Sequence, residues 1–137
     1  MFVKKSDLEK LIHAIISHHL DYCNVIFNNI NKENLNKLQN CQNAAKVIVG
    51  PSYSTAVERL KELHWLPIES RVVYKILMIV FKIFHGKCTT LKLHFKISNL
   101  RSGSSYQLET PNFKTKYGKR KFEKSGSRYW NVLPEKI

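Results

Sequence analysis

The sequence predicts a mainly α-helical protein, a small bundle of about four to five helices with a loop-rich, basic C-terminal part that holds at most a short strand. Apolar residues recur every three or four positions through most of the first 86 residues, the spacing of one face of an α-helix. Helix start and stop signals bracket these stretches. The 137 residues contain 43% apolar side chains and only five Gly and four Pro, which is enough for one packed core.

The first predicted helix begins at Ser6, because Ser6 and Glu9 have the spacing of a capping box. One apolar stripe follows, made of Leu8, Leu11, Ile12, Ile15, Ile16 and Leu20. We expect the helix to end within residues 21–27, ahead of the Asn-rich residues 28–34, whose short amide side chains favour turns.

A second helix is marked by the apolar residues Leu35, Leu38, Ala45, Ile48 and Val49. Gln39, Gln42 and Asn43 are predicted to lie on its wetter side, and Gly50 with Pro51 supplies the stop. Thr55 and Glu58 repeat the capping-box spacing and open a short third helix through Leu60 and Leu63.

The fourth predicted helix covers residues 67–85, with Pro67 in its first turn and Gly86 as its stop. It is apolar around most of its circumference, apart from a narrow edge formed by Arg71, Lys75 and Lys82. Such a helix is expected at the centre of a bundle. His64 and His85 are both predicted to serve helix ends structurally, by hydrogen bonding to the last carbonyls.

Beyond Gly86 the helical pattern weakens. Short alternation at residues 106–110 predicts one short strand, and residues 118–130 predict a last helix. We therefore divide the chain into a helical core (1–86), a loop-rich connector (87–117) and a basic C-terminal helix and tail (118–137).

Cysteine content and hydropathy favour an intracellular protein, nuclear or cytoplasmic, without a membrane partner. Three cysteines are odd in number and lack zinc-site spacing, so they predict neither a disulfide framework nor a metal centre. The N-terminus runs directly into a charged amphipathic segment, unlike a signal peptide. The most apolar stretch, residues 72–84, contains two lysines and is shorter than the roughly 20 residues that span a bilayer.

Positive charge increases along the chain and is densest near its C-terminal end. The 23 Lys and Arg exceed the 10 Asp and Glu to give +13, and the last 38 residues hold nine basic against three acidic residues. Seven cations lie within residues 113–128, with Glu123 as the one acid and three interleaved rings. The nucleic-acid-binding candidates are Lys114, Lys116, Tyr117, Lys119, Arg120, Lys121, Phe122, Lys124 and Arg128, with Phe113 as a further ring. Phosphates would relieve the repulsion and bases could stack on the rings, whereas the plainer interpretation is a solvated basic surface.

The chain offers little for catalysis or metal binding. His18, His19, Asp21 and Cys23 are potential ligands, but a polar helix end with Tyr22 and Cys23 packed inward is the stronger interpretation. The ten acids form no adjacent pair, and there is no phosphate-cradling Gly-rich loop. We predict no catalytic residue, no metal site, no cofactor and no small-molecule substrate.

Several short motifs occur in an order that is more specific than composition. They are Ser-Asp-Leu-Glu-Lys-Leu-Ile-His-Ala (6–14), Leu-Asp-Tyr-Cys-Asn (20–24), Leu-Gln (38–39) with Gln-Asn-Ala-Ala (42–45), Leu-Lys-Glu-Leu-His-Trp-Leu-Pro (60–67), Tyr-Lys-Ile-Leu (74–77), Phe-His-Gly (84–86), Leu-Arg-Ser (100–102), Lys-Tyr-Gly (116–118) with Arg120 and Phe122, and Tyr-Trp-Asn-Val-Leu-Pro (129–134). Together they closely resemble the region that follows the palm in reverse transcriptases of LINE-type, non-LTR retrotransposons of the jockey group. The resemblance covers residues 6–134.

The resemblance implies a thumb-like, non-catalytic fragment of an RNA-directed DNA polymerase that contacts the RNA or DNA of the template and primer. The family's palm aspartates, which hold magnesium, have no counterpart in this sequence. The missing palm or a second copy of the chain would be further partners. Residues 87–99 and 123–128 depart from the family pattern and indicate a diverged copy. A helical protein–protein interaction module and a non-functional relic of a transposable element are the alternatives.

Overall fold

The computed structural model of the chain describes residues 4–43, 55–96 and 107–134, and the chain divides into two compact units, Met1–Val72 and Val73–Ile137. The described part is mainly helical, which confirms the predicted fold class. In chain order the helices are α1 (Lys5–Ile12), α2 (His18–Asp21), α3 (Lys32–Asn43), α4 (Ala56–Glu62), α5 (Ile68–Phe84) and α6 (Phe122–Asn131). A π-helical stretch (His13–Ser17) joins α1 to α2, and 3-10 helices cover Asn24–Phe27 and Gly118–Arg120. The division predicted from the sequence, at residues 86 and 117, stays a prediction.

The helix α1 begins at Lys5, so the capping box predicted for Ser6 and Glu9 is wrong. Lys4 is the extended residue before the helix, and its carbonyl accepts hydrogen bonds from the backbone N–H groups of Asp7 and Leu8. No side chain caps this end. Ser6 already lies in the first helical turn, where it does not have the extended backbone that a capping hydroxyl requires.

The predicted apolar stripe of the first helix is only partly buried. Leu20 is 8% exposed, whereas Leu11 and Ile15 are each 54% exposed. The helical run ends at Asp21, within the predicted range. Asn31 then caps α3, because its Oδ1 accepts a hydrogen bond from the backbone N–H of Asn34 at 2.9 Å.

Gln39 and Gln42 hold the chain where it enters α5, so their predicted place on the wetter side of α3 is wrong. Gln42 has 0% exposure, and its Nε2 donates to the carbonyl of Leu66 at 2.8 Å. Gln39 is half-buried, and its Oε1 accepts from the backbone N–H of Ile68 at 3.0 Å. Its Nε2 donates to Gln42 Oε1 at 2.9 Å and to the half-buried Asn43 at 3.1 Å. The two amides thus satisfy backbone groups that flank Pro67. The rest of the predicted second helix, with Ala45, Ile48, Val49 and the Gly50–Pro51 stop, lies outside the described residues.

The capping box at the start of α4 is confirmed. The hydroxyl of Thr55 accepts from the backbone N–H of Glu58 at 3.3 Å, and the Glu58 carboxylate accepts from the backbone N–H of Thr55 at 2.7 Å. Hydrogen bonds from Thr55 to the Glu58 carboxylate, that of the backbone N–H above all, lower the pKa of Glu58 because they favour its charged form.

At the end of α4, His64 acts through its backbone, which the sequence did not predict. His64 has a φ of 53°, in the left-handed region, and its backbone N–H donates to the carbonyl of Lys61 at 3.0 Å. The N–H of Trp65 donates to Leu60 at 2.8 Å, which completes a Schellman motif. The backbone of His64, at a position where glycine is usual, therefore ends the helix.

The helix α5 begins at Ile68, immediately after Pro67, and ends as predicted beside Gly86. Gly86 has a φ of 67°, and its N–H donates to Ile83 while that of Lys87 donates to Lys82, again a Schellman motif. The ring Nδ1 of His85 lies 2.9 Å from the carbonyl of Phe81, so the predicted structural role of His85 is confirmed.

One side of α5 is buried and another is exposed, so the helix is not enclosed on all sides as predicted. Val72, Ile76 and Val80 are at most 4% exposed. Tyr74, Met78 and Phe81 are 50%, 37% and 43% exposed. On the predicted polar edge, the Arg71 guanidinium forms a two-point ion pair with Asp21, with Nη2 donating to Oδ2 at 3.1 Å.

The second unit has a cluster of aromatic rings around the half-buried Phe84. Its ring stacks on that of Trp130, with centroids 6.0 Å apart, and meets the ring of Phe95 edge-on at 5.6 Å. Within the same unit, α6 approaches α5 closely at Gly126, where an added Cβ would lie 3.0 Å from Cγ2 of Val80.

The predicted short strand is a single antiparallel bridge between Phe95 and Leu108 in the described residues. Lys96 donates to the carbonyl of Gln107, and Glu109 donates to that of His94. Tyr106, the first residue of the predicted strand, lies outside the described residues. None of the helices in the described ranges combines the length and the apolar character that crossing a membrane requires.

Candidate nucleic-acid interface

The basic segment, residues 113–128, consists of a turn followed by the greater part of α6. The predicted helix over 118–130 is thus interrupted. Gly118–Arg120 is 3-10 helical, Lys121 is extended, and α6 starts at Phe122. The interruption divides the candidate residues into those on the turn and those on α6.

Thr115 organises the turn through two hydrogen bonds. Its hydroxyl accepts from the backbone N–H of Gly118 at 3.0 Å, and its carbonyl accepts from that of Lys119 at 3.1 Å. Backbone bonds from Arg120 to Tyr117 and from Lys121 to Gly118 then complete the 3-10 helix. The turn is therefore fixed by its own backbone and one hydroxyl.

Gly118 is required by packing in this turn. It is buried, and a Cβ on it would lie 2.7 Å from the Cβ of Phe113 and 3.0 Å from the Oγ1 of Thr115. A real side chain cannot occupy that space without displacing Phe113. The Phe113 ring also carries the Lys121 ammonium 5.1 Å from its centroid, a cation–π distance.

Four of the predicted cations form an exposed group on the turn, which we call the turn cations: Lys114, Lys116, Lys119 and Arg120. In the described part of the chain, none of the four makes an ion pair or a side-chain hydrogen bond. Tyr117 lies among them and is 82% exposed. The turn thus carries four exposed cations and one exposed ring.

The remaining candidates are on α6 or at its start, and they are less uniform. Arg128 is exposed, with its guanidinium carbon 5.6 Å from the ring centroid of Tyr129. Lys124 is half-buried and lies one turn before Arg128, on the same side of the helix. Phe122 is half-buried, and its ring lies 3.5 Å from the position of a Cβ on Gly126.

Two buried serines of α6 place their hydroxyls against carbonyls one helical turn earlier. The hydroxyl of Ser127, 1% exposed, donates to the carbonyl of Glu123 at 2.6 Å, and that of Ser125 lies 3.4 Å from the carbonyl of Lys121. Gly126, which lies between them, allows the helix to lie close to Val80.

The other potential ligands do not form a site. Among the described residues, no group of three or more His, Cys, Asp or Glu side chains is placed to hold a metal ion. Tyr22 is 72% exposed and Cys23 is exposed, so the inward packing expected of them is wrong. Asp21 is engaged by Arg71, and all three cysteines are free.

Sequence reasoning missed the roles of Thr115 and Gly118, which shape the turn without contributing charge. The available signal was the Thr-x-x-Gly spacing on either side of Lys116 and Tyr117, because a Thr hydroxyl commonly accepts from a backbone N–H two or three residues later. In the sequence, Gly118 stands out only as part of the Lys-Tyr-Gly motif.

No protein-family model, no curated protein and no solved structure matches the chain.

Proposed function

We propose that this chain is the non-catalytic, post-palm region of an RNA-directed DNA polymerase from a LINE-type, non-LTR retrotransposon, and that it binds RNA or DNA through the basic segment. The observation that carries the proposal is the group of turn cations, exposed and without an acidic partner in the described residues. The motif resemblance supplies the family.

The electrostatics of the segment favour a polyanion. Seven cations with one acid, Glu123, repel each other, and phosphates would neutralise them while releasing condensed counterions. The structure supports this because the four turn cations are all exposed on a turn that is already held by backbone bonds. Binding there requires little reordering of the main chain.

Several residues of the motifs have structural roles within each unit. Gln39 and Gln42 belong to one motif and bond to the backbone at and beside the Trp-Leu-Pro end of another. Within the second unit, Phe84 of the Phe-His-Gly motif stacks on Trp130 of the last motif. Gly118 of the Lys-Tyr-Gly motif has no room for a side chain. These motif residues thus have structural reasons to occur together.

The proposal assigns no chemistry to this chain. In the family that the chain resembles, magnesium is held by palm aspartates, and no residue of this sequence corresponds to them. We expect no primer extension by the purified chain with magnesium and nucleotides. Primer-extension activity that stays with the chain through purification would contradict the proposal.

A salt titration of binding tests the proposal. If seven phosphates are contacted, the logarithm of the binding constant falls with the logarithm of salt concentration with a slope of about −6 on duplex DNA and about −5 on a single strand. Slopes of about half that size would correspond to about four contacts, the number of turn cations. Binding that is absent, or that does not depend on salt, would contradict nucleic-acid binding.

Exposed apolar side chains in the first unit favour a second candidate function, a protein–protein interaction module. Leu11 and Ile15 lie one helical turn apart and are each 54% exposed, while Tyr22 and Ile26 are 72% and 74% exposed. A palm or a second copy of the chain would cover such residues. Light scattering tests this candidate, since oligomers that grow with protein concentration and ignore salt would favour it.

A further inference from the structure

We propose that the basic segment selects unpaired over base-paired nucleic acid, and that Tyr117 is its single stacking platform. This inference rests on the proposed function and names the class of nucleic acid that the same site takes.

The three rings within the segment are equivalent in the sequence but not in the structure. Tyr117 is 82% exposed. Phe113 is half-buried, packs on the buried Gly118, and has the Lys121 ammonium 5.1 Å from its centroid. Phe122 is half-buried beside Gly126. Of the three, Tyr117 is therefore the ring with a face open to a base.

The turn holds Tyr117 outward. The carbonyl of Tyr117 accepts a hydrogen bond from the N–H of Arg120 at 3.0 Å. Thr115 accepts hydrogen bonds from the two residues that follow Tyr117, which are Gly118 and Lys119. With Gly118 fixed beneath Phe113, the backbone of Tyr117 cannot rotate to bury the ring without breaking the turn. An aromatic ring that is exposed to water has apolar surface to cover.

The surroundings of Tyr117 suit a nucleotide strand. The residues on either side include Lys116, Lys119 and Arg120, all exposed and free of carboxylate partners within the described residues. These cations can neutralise phosphates on both sides of a base that stacks on the ring. Single-strand binding proteins combine the same two elements, a positive track and an aromatic face.

Stacking on an isolated ring requires a base whose face is free. Within a duplex each base face is covered by its neighbours, so the duplex offers the turn phosphates and base edges but no open base face. Unpaired nucleotides offer phosphates and a base face together. Because every base has such a face, the preference is for single strands in general and not for one sequence.

Fluorescence anisotropy with a labelled, unstructured single strand of about 12 nucleotides and with its duplex, at one salt concentration, tests the inference. We expect Tyr117→Leu to weaken single-strand binding about tenfold and to leave duplex binding within about twofold, because base–ring stacking is lost and phosphate contacts stay. Tyr117→Phe should retain single-strand binding. Tyr74→Leu, which removes a ring that is 50% exposed elsewhere in the same unit, is the matched control.

The outcomes separate this inference from the proposed function. Salt-dependent binding that Tyr117→Leu leaves unchanged, or weakens equally for single strand and duplex, overturns the stacking platform and keeps the proposed function. Absence of salt-dependent binding by the wild-type chain overturns both. Circular dichroism of each variant checks the fold, which a substitution at so exposed a position should preserve.

Discussion

The side-chain amide of Asn131 forms both of its hydrogen bonds with the backbone of one residue, Leu108. The N–H of Leu108 donates to Oδ1 at 2.9 Å, and Nδ2 donates to the carbonyl of Leu108 at 2.8 Å. The residues before and after Leu108 bond to the opposite side of the bridge: Gln107 accepts from Lys96, and Glu109 donates to His94. Asn131 therefore takes the place of a neighbouring strand and fixes the end of α6 to a residue that is 2% exposed.

We expect Asn131→Ala to lower the free energy of unfolding by about 2 kcal/mol, because the N–H and carbonyl of Leu108 lose their partners at a partly buried position. Asn131→Asp keeps an oxygen that can accept from the N–H of Leu108 but loses the N–H that donates to its carbonyl. The free energy of unfolding should therefore fall by at least the contribution of one hydrogen bond. Urea unfolding measures both. Asn112→Ala, at an exposed asparagine of the same unit, is the control and should change the free energy little. Equal stability of Asn131→Ala and the control would contradict the bonding role.

We expect Gln42→Leu to destabilise the chain by about 1–3 kcal/mol, although leucine is apolar and the site is fully buried. The carbonyl of Leu66 would lose its donor, and Gln39 would lose the acceptor for its Nε2. The matched control is Asn40→Leu, which introduces the same side chain on an exposed part of α3. A Gln42→Leu variant as stable as wild type in urea unfolding would show that the amide is dispensable.

The capping box of α4 should make stability depend on Glu58 at acidic pH. The folded pKa of Glu58 lies below its ordinary value of 4.5, because it accepts hydrogen bonds from Thr55. A carboxylate with a lowered folded pKa contributes stability that is complete above 4.5 and is lost as the pH falls through the folded pKa. The urea midpoint should therefore fall less between pH 6 and pH 3 in Glu58→Gln than it does in wild type. The same pH dependence in both proteins would exclude this contribution.

We expect Gly118→Ala to impair both the turn and the binding of single strands. The new Cβ would clash with Phe113, at a cost of about 1–3 kcal/mol, and would displace the backbone that holds Tyr117. Gly86→Ala separates the two effects, since it strains a residue with a φ of 67° where nothing lies within 4 Å of the added Cβ. It should cost about 1 kcal/mol of stability and leave binding intact. Loss of binding in both variants would point to general unfolding instead.

The sequence predicted best those features that depend on a few neighbouring residues. The box of Thr55 and Glu58 and the stop at Gly86 are closed by groups within three to five positions along the chain, so their signals are complete in the sequence. The failed box at Ser6 shows the limit of such a signal. The same residue types have no capping role here, because the residue that precedes the helix is Lys4, two positions before Ser6.

Features that depend on distant backbone groups could not be predicted in the same way. Gln42 lies in a polar stretch of α3, and only the fold reveals that the carbonyl of Leu66 comes within 2.8 Å of its amide. In the candidate interface, the positions of the cations could be predicted as a cluster, but the different exposures of Phe113, Tyr117 and Phe122 follow from packing around two glycines.

The most direct test of the central claim compares the salt dependence of single-strand binding for wild type and two four-charge variants. One replaces the turn cations, Lys114, Lys116, Lys119 and Arg120, with glutamine, and the other replaces four exposed lysines elsewhere, Lys32, Lys61, Lys82 and Lys87. Both variants have the same net charge. We predict that the slope of log binding constant against log salt becomes less steep by about 3 in the first variant and stays near the wild-type value in the second. Equal slopes for the two variants would contradict the account, because binding would then follow net charge and not the basic segment.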